Sequence, residues 1–160
     1  PYLSPPKVYQ ALKTKALDAA TTVEPWGARS VLDGDGIILA TGEAWLKRDV
    51  FQLAVMMFSG DFIEQRRPVA QRWINAYVKG IQHIHKHGLT SKEILPIVNK
   101  WTKVPQHIIA KATPPAFSND GSVDTTSLEM AQDFYFSRGL LKKKISMSEA
   151  VDMSFVRNRK

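Results

Sequence analysis

The stretch from Ala11 to Trp26, Ala-Leu-Lys-Thr-Lys-Ala-Leu-Asp-Ala-Ala-Thr-Thr-Val-Glu-Pro-Trp, limits what the chain can fold into more than any other. It reads as the last turn of a helix, a tight turn, a short buried strand and a carboxylate at the strand's end. Residues 16–23 are small and apolar apart from Asp18 and the threonines, the composition of a parallel strand covered on both faces. Glu24 comes where such a strand runs out, and Pro25 stops it from continuing as a central strand. Residues 25–31 then open a helix, with Pro25 suited to the first turn. A carboxylate in that position occupies the usual ligand crevice of an open α/β sheet. It is equally well placed to cap the following helix. Both readings stand on spacing alone.

Upstream, residues 7–15 form a short helix with Val8, Leu12 and Ala11 inward. Helix and strand together read as the end of a βαβ unit whose earlier strands are not in the sequence. One strand of that kind makes no stable sheet. The expectation is therefore that the chain pairs with another polypeptide or is the later part of a longer one. It opens on Pro-Tyr-Leu-Ser-Pro-Pro, without the basic-then-apolar pattern of a signal peptide.

The length of 160 residues suffices for a real core, and 44% apolar with 23% charged residues is the balance of a globular protein. No apolar run approaches the roughly 18–20 residues of a membrane span. With no cysteine, disulfides and thiolate metal sites are excluded from this sequence. The net charge of +7 is spread along the chain. Its tightest groups are Lys142-Lys143-Lys144, a solvated connector between apolar neighbours, and the terminal Arg157-Asn158-Arg159-Lys160. Nucleic-acid binding needs a more concentrated basic face, and none is expected.

Asp33-Gly34-Asp35-Gly36 is a strong turn signal without the spacing of a phosphate loop or a calcium loop. Short strands are predicted at residues 37–40 and, more apolar, at 50–58, with Trp45 between them. From Gly60 the pattern turns helical. Pro68 opens the longest helix and Gly88 closes it, with Ala70, Trp73, Ile74, Tyr77, Ile81 and Ile84 as one buried stripe. Thr90-x-x-Glu93, Thr126-x-x-Glu129 and Ser146-x-x-Glu149 have capping-box spacing and mark three further helix starts. Pro96 delays or kinks the first, and Pro105 starts another short helix. In the second, Leu128, Ala131, Phe134 and Tyr135 face inward and Gly139 gives the left-handed stop.

His83, His85 and His87 form a His-x-His-x-His run in which His83 and His87 share a helix face, as metal ligands at i and i+4 do. No carboxylate is read beside them, and histidines suit the negative end of a helix dipole. A solvated helix end is expected and no metal site. No nucleophile elbow, paired-carboxylate motif or Ser/His/Asp signature is present, so no catalytic residue is assigned.

Ala11-Leu-Lys-x-Lys-Ala-Leu-Asp-Ala-Ala with Glu24-Pro25-Trp26 resembles the "AL-x-x-G-x-x-DA…EP" segment of the NMT1/SsuA-like substrate-binding proteins of ABC importers. Lys15 stands where that family commonly has Gly. The carboxyl end is similar too: Leu128 to Gly139, Leu140-Leu141, then Ser148-Glu149-Ala150-Val151-Asp152-x-Ser154-Phe155-Val156. The resemblance implies a helix-rich α/β chain, the later part of a type II periplasmic-binding-protein-like fold with two lobes. Residues 1–50 would complete the second lobe, and residues 51–160 would supply a crossover strand and the helical end of the first. The amino-terminal parts of both lobes would lie in the rest of the same protein or in another chain.

The implied function is delivery of a small solute, bound between lobes, to a membrane permease from a periplasmic or other extracytoplasmic location. No enzyme activity and no cofactor are implied. Pyrimidine synthases of thiamine biosynthesis share the scaffold but resemble this chain less, because they carry a cysteine-rich iron motif. A cytoplasmic ligand-sensing module is the third reading. Within the resemblance Glu24 is the candidate ligand group, with Thr21, Thr22 and Trp26 beside it. A carboxylate in a poorly hydrated cleft must meet donors or a cation, or its desolvation costs several kcal/mol. It suits an aminopyrimidine, amidine or ammonium group and opposes nitrate or sulfonate. In the family's pyrimidine-binding branch an aromatic stands at the place of Thr21.

Overall fold

A computed structural model describes residues 3–42, 44 and 51–157. Its helices are α1 (Pro5–Lys13), α2 (Trp26–Leu32), α3 (Gly60–His87), α4 (Ile94–Thr102), α5 (Gln106–Ile109), α6 (Thr125–Ser137), α7 (Met147–Ala150) and α8 (Ser154–Arg157). They fall into two compact units, one of Pro1–Lys47 with Ile84–Ala116 and one of Arg48–His83 with Phe117–Lys160. The chain is helix-rich as expected, but among the described residues the expected strands do not form. Residues 16–23, 37–40 and 51–58 form no ladder among the described residues, and Trp45 and Val50 lie outside them. A strand needs a neighbour for its N–H and C=O groups, and these segments have none among the described residues. Most of their apolar side chains stay exposed, Leu39 at 80% and Met57 at 84%.

In the first unit α1 packs on α2, α2 on α5, and α4 on α5. Val8, Tyr9, Ala28, Ile94, Ile108 and Ile109 are its buried apolar residues. α1 stops where Thr14 caps it and Lys15 turns left-handed at φ 58°, so that the Ala16 N–H reaches back to the Ala11 carbonyl at 2.8 Å. This is a helix stop that a glycine makes without steric cost. The Asp33–Gly36 turn is as read. Gly34 has φ 75°, and the N–H groups of Asp35 and Gly36 donate to the Ser30 carbonyl.

In the second unit α3 joins a short helical piece to the long one, in whose first turn Pro68 lies, as read. It begins at Gly60 and kinks at Arg66 (φ −136°, ψ 31°). Pro68 has no N–H to donate and crowds the preceding turn, which explains the break just before it. The buried positions are Ala70, Ile74, Val78 and Ile81, in steps of four, four and three. Val78 replaces Trp73 in the expected stripe. Trp73 lies on the shoulder, stacked on Tyr77 at 5.6 Å and edge-on to Phe58 at 5.8 Å. Phe155 joins Ala70, Ile74 and Val78 in the core, with Phe58, Phe62 and Ile63 around it. Arg67 holds this end of the chain. It donates to Asp152 at 3.1 Å and to the Ser154 hydroxyl, and its guanidinium lies 4.2 Å from the Phe155 ring centre.

Of the three capping boxes only Ser146-x-x-Glu149 forms, both halves in place, ahead of α7. α4 instead starts at Ile94 after Glu93, with the Ser91 hydroxyl accepting from the Ile94 N–H at 3.3 Å. Pro96 is its third residue, where no intrahelical donor is required. α6 is capped by Asp124, which accepts from the Ser127 N–H at 3.2 Å, so Thr126 is already inside the helix. Phe134 and Tyr135, predicted to face inward, are 55% and 49% exposed. Leu128 and Ala131, expected on the same face, are half-buried. Pro105 and Gly139 behave as read, the first capping α5 and the second lying just beyond α6 at φ 70°.

Two left-handed positions give opposite outcomes on substitution. Lys15→Gly should raise stability by about 1 kcal/mol in urea unfolding, because it removes the Cβ crowding of a non-glycine residue at φ 58°. Gly121 has φ 79°, and a Cβ there would lie 2.8 Å from Val78 Cγ2 in the core. Gly121→Ala should therefore lower stability by about 1–3 kcal/mol in the same experiment. A neutral Gly121→Ala variant would refute this packing.

Candidate functional site

The carboxylate singled out by the sequence lies where a coil segment enters α2, in the first unit. Glu24 is exposed and its side chain folds back over the helix start. Oε2 accepts the Ala28 N–H at 3.0 Å, one of the helix-start donors that have no partner within the helix. Oε1 accepts the Thr113 N–H at 3.4 Å, from a segment 89 residues further on. Glu24 thus caps α2 and ties it to the segment after α5. Two carboxylate oxygens offer about four acceptor positions, so two N–H bonds leave capacity for a ligand's donors. Capping and ligand binding are compatible at this residue.

The other predicted residues sit on the same entry segment with different surroundings. Thr21 is exposed. Thr22 is half-buried, and its Oγ1 is shielded from solvent without a hydrogen-bond partner among the described residues. Trp26 is half-buried. Its ring centre lies 6.0 Å from that of Tyr9, and the Arg29 guanidinium sits 5.7 Å from it. Gly27 borders the carboxylate, since a Cβ there would lie 3.6 Å from Glu24 Oε2.

The sequence does not single out the polar cluster behind Trp26. Tyr9, on α1, is 2% exposed, and its hydroxyl donates to Asp33 Oδ2 at 2.6 Å. Arg29 stacks on the Tyr9 ring at 4.6 Å and reaches Asp33 at 3.5 Å. Lys13 donates to the Tyr9 hydroxyl at 3.3 Å and pairs with Asp35 at 3.6 Å. The Tyr9 hydroxyl holds the Asp33 carboxyl below the usual carboxylate range, with Arg29 and Lys13 adding to it. The same hydroxyl, then Asp35, raises Lys13. Thr113 is equally hidden in the sequence. It carries no local signal, because only the tertiary fold brings it to Glu24.

A shallow, solvent-open groove lies in the second unit, among Thr125, Met147, Val151, Met153 and Arg157. Its ionisable lining groups are Asp152 and Arg157, and Asp152 is already engaged by Ser154 and Arg67. It contains none of the predicted site residues. The Glu24 segment, with a fixed carboxylate and a shielded hydroxyl, has the better chemistry for recognition.

A family model described as the NMT1-like family matches residues 2–98, a span that includes the whole Glu24 segment. Neither a curated protein nor a solved structure matches the chain significantly.

The Tyr9 cluster makes a pH-dependent prediction. Asp33 has a folded value below its unfolded one, so its stabilising contribution is present above the unfolded value of about 3.9 and is lost as pH falls through the folded value. Tyr9→Phe removes the main cause. The Asp33 carboxyl should then titrate closer to its unfolded value in a carboxyl-resolved NMR titration, with a smaller acid-side loss of stability from this group. An unchanged Asp33 titration would show that the hydroxyl is not what holds it down.

Proposed function

Because the chain belongs to the NMT1-like family, we propose that it is part of the solute-binding component of an ABC importer, taking up a small organic solute for delivery to a membrane permease. The family consists mostly of solute-binding proteins, with some thiamine pyrimidine synthases among its members. In this reading the protein works outside the cytoplasm and has no catalytic role. Its chain contributes later parts of both lobes of a type II periplasmic-binding-protein fold. The exposed apolar side chains of two segments, Ile37 to Leu39 and Leu53 to Met57, support that reading. Such segments call for strand partners from further polypeptide.

The observation that carries the ligand assignment is the Glu24 carboxylate, fixed by Ala28 and Thr113 with acceptor capacity to spare. Fixing the group beforehand lowers the ordering cost of binding. An acceptor-only group selects donors and cations, so the solute carries an aminopyrimidine, amidine or ammonium function. Thr22 Oγ1 and Trp26 supply a neighbouring hydroxyl and an aromatic face, and Thr21 completes the entry segment.

Calorimetric titration with an aminopyrimidine, benzamidine, nitrate and methanesulfonate should find binding among the first two and none for the two anions. A charge-assisted hydrogen bond contributes about 1.5–3 kcal/mol, so Glu24→Gln should weaken binding by roughly tenfold or more. The amide oxygen still accepts from Ala28, and only the long, exposed contact to the Thr113 N–H is lost, so the melting temperature should fall by little. Glu24→Ala loses the cap too and should cost about 1 kcal/mol of stability. Affinity within twofold of wild type in Glu24→Gln would make Glu24 a cap alone.

A further inference from the structure

The sequence predicts a plain solvated helix end for the histidine run that closes α3, with no carboxylate beside it. The fold supplies one. Gly88, at φ 84°, ends the helix, and the chain turns with the Ser91 N–H on the Gly88 carbonyl at 3.1 Å. Buried Ile94 and the Ser91 hydroxyl on its N–H then fix the start of α4. Glu93, at that start, comes back alongside the last turn of α3. Its Oε2 lies 3.4 Å from His87 Nδ1. His83 stands one turn before His87 on the same helix. One ligand atom from each of His83, His87 and Glu93 lies within 4.8 Å of the other two, and all three residues are exposed.

We propose that His83, His87 and Glu93 form a binding site for a borderline divalent transition-metal ion of the zinc class. Two imidazole nitrogens and one carboxylate oxygen are a donor set that zinc accepts, and imidazole donors disfavour calcium and magnesium. The spacing fits as well. Two ligand atoms about 2.0–2.1 Å from a tetrahedral ion are about 3.4 Å apart, the separation seen between His87 Nδ1 and Glu93 Oε2. The longer separations close by rotation of surface side chains. The fourth position faces solvent and takes water. The ion would fasten residues 88–93 to the end of α3, independently of the solute assigned to Glu24.

The test is calorimetric titration of zinc into the tag-free, chelator-treated protein. One equivalent should bind saturably. His83→Ala and His87→Ala should each weaken binding by roughly tenfold or more, and Glu93→Gln should weaken it as well. His85→Ala, outside the donor set, should bind as wild type does. Zinc should also raise the melting temperature of the wild-type protein but not of His87→Ala, since an ion held only by the folded state stabilises it. Absence of saturable binding would overturn the site and leave the His87–Glu93 contact as an ion pair. So would zinc binding that survives His83→Ala and His87→Ala, or that His85→Ala weakens as much as they do.

Discussion

The first unit is organised around a buried hydroxyl that must keep a partner. Tyr9 is the largest fully enclosed side chain among the described residues, and leaving its O–H unpaired would cost about 1–3 kcal/mol. Asp33, at the carboxyl end of α2, supplies the acceptor. That one bond sets where α2 lies against α1. Arg29 and Trp26, on the same short helix, then close over the Tyr9 ring, and the start of α2 comes to rest where Glu24 can cap it. The aromatic and the carboxylate of the candidate site are therefore positioned from behind, by a cluster that stands outside the site itself.

What is legible in the sequence is what the backbone settles locally. Gly88 and Gly139 end helices because left-handed φ values are cheap only for glycine. Ser146 and Glu149 form their box because both partners sit within one turn of chain. Thr90 and Thr126 have the same spacing and fail, since Ser91 and Asp124 provide competing caps a residue or two away. Spacing cannot rank such rivals. The strands are the larger loss. Residues 16–23 have the composition of a covered strand, but a strand exists only with a neighbour, and composition does not supply one.

The candidate site is legible to the same depth. The Ala11–Trp26 stretch leads to Glu24 and to both of its possible roles, and the geometry lets one carboxylate serve both. Thr113 and the Tyr9 cluster are invisible because they depend on contacts between segments distant in the chain. Glu93 is nearer, only six residues beyond His87, yet a helix stop in the sequence hides it, because a stop reads as the end of a neighbourhood. A left-handed glycine instead reverses the chain and lays the residues beyond it beside the helix it ends.

The clasp of Arg67 on Asp152 and Ser154, with Phe155 inserted against Ala70, Ile74 and Val78, joins residues about 85 positions apart. A ribosome adds on the order of 5–20 residues each second, so the apolar side of α3 leaves it several seconds before Phe155 is made. Throughout that interval the helix carries a face that Phe58, Phe62 and Ile63 cover only in part, which is when a holding chaperone has its opportunity. The second unit can close only as its last helix arrives. Premature termination anywhere before Phe155 would leave that face without its last buried aromatic and make the product a better substrate for proteolysis.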